Sequence, residues 1–377
     1  MKRFFVPLFL LIAVFCVTLF CQSFTIMRQE SLGLFINTPD FYRELFLDPL
    51  PVSNLIGSFL VQFYANHYLG ATIVAVMVVL CYFLLKGAIG RFVKYSGIAA
   101  AVSAGAAWWL IARAHHPSTG VFIVLLSFLL WCLSRLVPKR STISFSENYS
   151  LSIIISSFAI SASALLICFN PGVAAMEKYA KVEYAASDYN WNFLLRIATP
   201  EAASKQRLMV PYALLALNAR GELTEKMSDY PLSNGFGLDF GDDQSYSSYH
   251  FKSVLYSALG CPNEAVHNLH QSGMLLPHGT SFRTLRMLVQ SNYSLCDSLM
   301  VVKYCDILDR SCTNKRFVKF FRDNPCPQKD YNTASESSVA PMVKTHDQMM
   351  NMLQLEKAGL NSDMAMERYA SYFGLIN

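Results

Sequence analysis

The sequence has few charged side chains and lacks the common catalytic motifs. Charged residues make up 15% of its 377 residues, whereas about 25% is usual for soluble domains, and the mean hydropathy is +0.30. Walker, GxGxxG and Ser-His-Asp patterns do not occur in usable contexts. The composition excludes a wholly soluble chain, and the missing motifs leave no residue predicted to be catalytic or to bind a cofactor or metal.

The charges that are present divide the chain into two predicted domains. Residues 1–170 contain 11 basic and 5 acidic side chains, whereas residues 171–377 contain 20 and 21. A nucleic-acid-binding protein would concentrate its basic excess on the folded domain, but here the excess accompanies the apolar half. We therefore expect no nucleic acid partner, and predict a membrane bundle over 1–170 and a soluble domain over 171–377.

Long apolar runs in the first half have the length of transmembrane helices. About 20 residues cross a bilayer, and such runs lie at 4–20, 69–85, 97–112, 119–137 and 150–169. The first run is either a signal peptide or an anchor. We favour an anchor because no A-x-A cleavage site follows, and because Cys21 follows Phe20 where a lipoprotein site requires a small residue. The sequence predicts five spans embedded in a lipid bilayer.

The stretch 52–68 is predicted to be an amphipathic helix lying in the membrane interface. Its apolar positions recur at helical spacing, while polar residues such as Ser53 and Gln62 fall largely on the other face. Such a two-faced helix is typical of an interfacial segment. We expect the polar face to meet water and Gly70 to separate this helix from the next span.

Loop charges predict the orientation of the chain. The N-terminus, the second loop and the fourth loop carry 8 basic residues, whereas the alternate loops carry only Arg28, Arg43 and Arg113. Basic loops remain on the cytoplasmic side. This pattern predicts a multi-pass protein of a bacterial inner membrane, with a cytoplasmic N-terminus and a periplasmic C-terminal domain.

The second half has the periodicity of consecutive helices. We predict them at 174–187, 191–198, 201–220, 246–259, 263–271, 282–291, 295–308, 315–322 and 362–373. The segments YALLALNARGEL (212–223) and YSALGCPNEAVHNL (256–269) place small residues and a glycine between two helices. This spacing is typical of tetratricopeptide-like repeats. The predicted fold class is therefore all-α, a polytopic bundle followed by a helical-repeat domain.

Three segments carry a family resemblance: DPLPVSNLIGSFLVQFYANHYLGATI (48–73) and the two repeat-like elements. Together they resemble a family of Bacteroidota inner-membrane proteins that join a short bundle of spans to a tetratricopeptide-like region. The resemblance implies that architecture and transfers no activity and no catalytic residue.

Two clusters of possible metal ligands are weak. His267 and His270, with Cys261 and His278 nearby, lack the further ligand that would complete a zinc set. A second group, Asp239, Asp242 and Asp243, lacks the order of EF-hand ligands. We expect histidines that pack or are exposed, a solvated loop, and no metal.

Five cysteines lie in the second half: Cys261, Cys296, Cys305, Cys312 and Cys326. A periplasmic location would permit disulfides, but an odd number without regular spacing defines no framework. At most one or two bridges are expected, and the sequence does not indicate which cysteines pair.

Two functions fit the sequence. A membrane-anchored scaffold would bind a protein or peptide through its helical repeats. The aromatic and Arg residues of 246–286 are either its contact face or side chains that pack helix against helix, and we favour the contact face. The alternative is a polytopic sugar transferase using a lipid-linked donor and an acid of the first outer loop: Glu30, Asp40, Glu44 or Asp48. We favour the scaffold, because five spans are few to enclose a lipid-carrier site.

Overall fold

The computed structural model describes residues 4–92, 96–112, 116–136, 149–231, 244–258 and 260–326. Every regular element within these ranges is a helix, which confirms the all-α prediction. The chain divides into two compact units, Met1–Glu177 and Lys178–Asn377. The sequence placed this division between residues 170 and 171, where a new helix, Pro171–Ser187, begins.

The first unit is built mainly from apolar helices. Its elements are α1 (Phe5–Cys21), α2 (Ser23–Leu32), α3 (Pro39–Leu47), α4 (Pro51–Val61), α5 (His67–Ile89), α6 (Ser96–Ala112), α7 (Pro117–Leu136) and α8 (Tyr149–Cys168). In the described ranges, 3 helices are long and apolar enough to cross a membrane: α5, α7 and the Leu151–Cys168 part of α8. The number is 4 if α1 and α2, which meet at 77°, form one broken span, and Gly97–Ala112 is a shorter apolar helix. The count of five spans therefore stays a prediction.

Helix α5 lies at the centre of this bundle. It packs against α1, α6 and α7, while α8 packs against α1 and α6. Leu10, Val78, Tyr82, Ala104 and Ile160 belong to the shared buried core. The small residues of α6 permit close packing, since a Cβ added at Gly97 would lie 2.9 Å from Ser152 of α8.

The prediction that the polar face of 52–68 points outward is wrong. Ser53 and Gln62 are buried, whereas Val52 is 51% exposed and Phe59 41% exposed. Helix α4 turns its polar face towards α7, where a Cβ on Gly57 would lie 2.3 Å from the Cα of Ser118. In a bundle with an apolar outer surface, polar side chains find hydrogen-bond partners inside the protein. At 11 residues α4 is too short to cross a bilayer.

The helix break also differs from the prediction, because it falls at Asn66 and not at Gly70. The backbone of Asn66 is extended, and its side-chain oxygen accepts hydrogen bonds from the amides of Tyr68 and Leu69 at 2.9 and 3.3 Å. Asparagine is among the preferred N-cap residues, since this oxygen satisfies amides that the first turn leaves unpaired. Gly70 lies inside α5, where a Cβ would approach Ile26 to 2.8 Å.

A buried carboxylate caps the bend between α1 and α2. Glu177, on helix α9 (Pro171–Ser187), accepts hydrogen bonds from the amides of Phe24 and Thr25 at 3.1 and 2.9 Å and from the Thr25 hydroxyl at 2.9 Å. The first amides of a helix lack partners within the helix and favour a negative charge. Glu177 therefore fixes the start of α2 from a distant part of the chain.

The second unit continues as a series of short helices. They are α10 (Trp191–Ile197), α11 (Pro200–Lys205), α12 (Val210–Arg220), α13 (Leu223–Lys226), α14 (Tyr246–Ala258), α15 (Pro262–Met274), α16 (Phe282–Ser294), α17 (Ser298–Asp309) and α18 (Lys315–Asp323). The helix predicted at 201–220 is broken near Gln206, because Pro211 is favourable only in the first turn of a helix. The helix predicted at 362–373 lies outside the described residues.

Helices α14 to α18 pack in chain order, each against the next. Gly260 joins α14 to α15 with a φ of +78°, as the predicted helix-turn-helix at 256–269 requires. Gly221 ends α12 in the left-handed conformation, with a φ of +71°, which confirms its predicted role after the C-terminus of that helix. The helix that follows it, α13, has only 4 residues.

A buried ionic cluster connects three helices of this unit. A guanidinium nitrogen of Arg283 on α16 lies 2.7 Å from a carboxylate oxygen of Glu183 on α9, and Nε2 of His250 on α14 lies 3.7 Å from the same oxygen. The Glu183 side chain is 0% exposed. The three residues are far apart in sequence, so the cluster holds α9, α14 and α16 in one arrangement.

Candidate functional site

The predicted metal-ligand candidates do not converge. His267 and His270 are exposed on α15, whereas Cys261 is buried. Nε2 of His270 lies 3.4 Å from the hydroxyl of Tyr304, on a different helix. No group of three His, Cys, Asp or Glu side chains suited to a metal occurs among the described residues. Asp239, Asp242 and Asp243 lie outside those residues.

The four acids of the first outer loop differ in their surroundings. Glu30 is buried on α2, while Asp40 and Glu44 are exposed on α3. Asp48 accepts a hydrogen bond from the side-chain nitrogen of Asn54 at 3.1 Å. Among the described residues they form no group of three acidic or other metal-ligating side chains.

A cavity of about 80 Å³ lies in the first unit. Its lining includes Thr25, Tyr64, Ile111 and His116. Pockets for small organic ligands usually have about 300–1,000 Å³. This cavity is too small for a lipid-linked sugar, so it adds no support to the transferase hypothesis.

The predicted contact face at 246–286 is mostly core. Phe251, Tyr256, Phe282 and Arg283 are each at most 5% exposed. Their aromatic rings and the Arg283 guanidinium pack helix against helix, so for these four residues the contact-face interpretation is wrong and the packing alternative is correct.

A better candidate for a binding surface than the segment 246–286 is a groove of about 430 Å³ between α10, α12 and α13. Its polar rim is exposed and its floor contains the buried side chains of Leu217 and Tyr230. The hydroxyl of Tyr230 donates a hydrogen bond to the carbonyl of Ala198 at 2.9 Å, which holds the segment after α13 beside the end of α10. The groove is lined by Asn192, Leu195, Arg196, Leu217, Arg220, Glu222, Lys226 and Tyr230.

The turn after α12 brings three charged side chains of the groove close together. Because Gly221 reverses the backbone, Glu222 lies 2.5 Å from Arg220 and 2.6 Å from Lys226. The hydrogen bond from Lys226 is the main cause that lowers the pKa of the Glu222 carboxyl, with a further contribution from Arg220. Arg196 adds a third cation on α10, so the groove contains three basic side chains and one carboxylate.

Arg196 is the cation least engaged by the protein. Its Nε donates a hydrogen bond to the carbonyl of Asn192 at 3.3 Å, and in the described part of the chain its terminal nitrogens have no hydrogen-bond partner. Arg220, in contrast, donates to the side-chain oxygen of Asn192 as well as pairing with Glu222. The two terminal nitrogens of the exposed Arg196 side chain suit a carboxylate ligand.

The sequence analysis missed this groove because its residues come from three separate segments. The sequence indicates one side of the groove, because Asn192 and Arg196 are four residues apart and therefore share one face of α10. The Arg-Gly-Glu sequence after α12 indicates a turn but gives no indication that the turn faces α10. Only the packing of α10 against α12 brings the charges together.

These features define a protein with an apolar helix bundle and a second all-helical unit with a basic groove. The chain belongs to DUF6057, a family of unknown function whose model matches residues 1–170 and 150–370. No curated protein and no solved structure matches the chain.

Proposed function

We propose that this protein is a membrane-anchored scaffold whose helical unit binds an acidic segment of a partner protein. In this proposal the first unit lies in the inner membrane of a bacterium, and the second unit lies in the periplasm. The loop charges support this orientation, and the consecutive pairing of α14 to α18 supports a repeat-like array. The basic groove at α10, α12 and α13 is the observation that carries the proposal.

The groove favours an acidic peptide over a small neutral ligand. Three cations and one carboxylate give it a net charge of +2, and its open form suits an extended chain. Leu217 and Tyr230 provide an apolar floor against which a peptide side chain can pack. A carboxylate of the peptide would accept hydrogen bonds from the terminal nitrogens of Arg196.

The preference for acidic peptides is tested by measuring how the purified full-length protein, in nanodiscs, binds to a peptide array. The probes are 12-residue peptides rich in Glu, each paired with a counterpart in which Gln replaces Glu. We expect selective binding of the acidic members, weakened by salt because the charges of the groove are exposed. Equal binding of both sets would contradict the proposal.

Two groove variants make the test residue-specific. Arg196→Gln should weaken binding about tenfold, or about 1.4 kcal/mol, because a charge-assisted hydrogen bond is lost. Glu222→Gln should strengthen binding roughly twofold to fivefold, because it removes a carboxylate that repels the ligand. Arg207→Gln, an exposed arginine outside the groove, is the matched control. The groove is not the binding site if Arg196→Gln and Arg207→Gln behave alike.

A further inference from the structure

Two cysteines far apart in sequence meet at one end of the first unit. The Sγ atoms of Cys21 and Cys168 are 3.3 Å apart, although 147 residues separate them. Cys21 is the last residue of α1, and Cys168 is the last residue of α8. Cys168 is exposed and Cys21 is partly exposed, so the surrounding side chains do not enclose the pair.

The surrounding structure holds the two helix ends together. Helices α1 and α8 pack against each other and share the buried core through Leu10, Val14 and Ile160. Just beyond the thiols, Glu177 caps the start of α2 with three hydrogen bonds of 2.9–3.1 Å. The thiols therefore lie between two sets of contacts that fix α1 and α2 relative to α8 and α9.

We propose that Cys21 and Cys168 form an intramolecular disulfide. Bonded sulfurs lie about 2 Å apart, so the Sγ atoms must approach by little more than 1 Å. This inference rests on the orientation proposed above, which places the C-terminal ends of α1 and α8 on the oxidising, periplasmic side.

The oxidant in this proposal is a thiol–disulfide oxidoreductase in its disulfide form. The thiolate of Cys168 attacks one sulfur of the oxidoreductase and displaces its partner thiolate, which gives a mixed disulfide. The thiolate of Cys21 then attacks the Cys168 sulfur and releases the oxidoreductase as a dithiol. Two electrons pass to the oxidoreductase, which also takes up the two protons that the cysteines release.

A cleavable full-length protein tests this bond in native membranes. A site-specific protease sequence is inserted between Pro138 and Lys139, accessible thiols are blocked with N-ethylmaleimide, and the protein is solubilised and cut. We expect the two fragments to migrate together without reductant and separately with reductant. Cys21→Ser and Cys168→Ser should each abolish the joined species, whereas Cys16→Ser, on the same helix as Cys21, should preserve it.

The wild-type protein provides an independent measurement if the serine variants do not accumulate. Mass spectrometry should then find Cys21 and Cys168 alkylated only after reduction. Separate fragments without reductant, or a joined species that survives Cys21→Ser, would overturn the disulfide.

Labelling with a membrane-impermeant maleimide separates this result from a wrong orientation. If Cys168 reacts from outside, directly or after an impermeant reductant, the orientation holds and the absence of a bond counts against the disulfide alone. If Cys168 reacts only after permeabilisation, the proposed orientation is wrong and the disulfide proposal is overturned with it.

Discussion

Replacing Arg283 with Met would test whether the buried ionic cluster holds the second unit together. The substitution removes the guanidinium 2.7 Å from the carboxylate of Glu183, whose side chain is 0% exposed. Removing one partner of a buried ion pair costs about 3–5 kcal/mol, because the remaining charge loses its compensation inside the protein. We expect this loss to appear as easier opening of α9, α14 and α16.

The reactivity of Cys261 measures that opening under native conditions. Its side chain is 1% exposed, so alkylation requires local unfolding, and the rate reports the opening equilibrium when closing is faster than labelling. A loss of about 3–5 kcal/mol corresponds to a rate increase of roughly 10²- to 4 × 10³-fold. Arg310→Met, the same change at an exposed arginine, should leave the rate within about twofold.

The double variant Glu183→Gln, Arg283→Met tests whether the loss of stability in Arg283→Met comes from the unpaired charge of Glu183. With both charges removed, most of the lost stability should return, since replacing a buried pair by neutral side chains is often close to neutral. The reasoning fails if Arg283→Met labels no faster than Arg310→Met, or if the double variant labels as fast as Arg283→Met.

Three further predictions follow from particular contacts and charges. Burial, reinforced by Glu264, raises the pKa of Cys261 to about 11, so in the folded protein at pH 8 about one Cys261 thiol in a thousand is ionised. Because Cys261 is both protonated and 1% exposed, it is labelled through local opening, and iodoacetamide should modify exposed Cys312 at least about 100-fold faster; equal rates in the folded protein would contradict the burial of Cys261. Gly57→Ala should force α4 away from Ser118, destabilise the protein by about 1–3 kcal/mol and lower its melting temperature in detergent. The control is Gly105→Ala, where the nearest atom would be 3.9 Å from the new Cβ and no loss of stability is expected; equal melting temperatures of the two variants would refute the close contact at Gly57. Alkaline phosphatase fused after Asn377 should be active, because that enzyme needs the oxidising periplasm; an inactive fusion of normal abundance would reverse the proposed orientation.

Local sequence signals predicted the positions of most helices. They failed to predict which helix face is buried and which distant segments pack together. Gly221 and Gly260 marked real helix ends, because a left-handed residue is a local requirement that glycine meets most easily. Gly70 was misassigned, because glycine also occurs where two segments approach closely, and here Ile26 is the neighbour. Asn66 carried the stronger signal, since its side chain caps the helix that follows.

The errors at α4 and at 246–286 have a common cause. Helical periodicity separates two faces of a helix but does not identify which face points inward. For α4 we assigned the polar face to water, whereas that face packs against α7. For 246–286 we assigned aromatic residues to a partner surface, whereas they fill the core between α14 and its neighbours. The basic groove depended on three segments meeting in space, which periodicity does not specify.

The exposure of large apolar side chains shows, for each unit separately, which kind of helix face points outward. On α8, Ile154, Phe158 and Leu166 are 63%, 75% and 74% exposed, and α7 presents Phe128 and Leu129 in the same way. In water such a surface would drive aggregation, whereas in hydrocarbon it is the low-energy arrangement and buried polar groups bond to one another. In the second unit most ion pairs lie at the surface, as between Lys205 and Glu201, and large aromatic rings such as Phe251 are buried, although Glu183 and Arg283 pair in the interior. The two units are therefore built for different solvents, which is the physical basis for proposing that one anchors the chain and the other binds a partner in water.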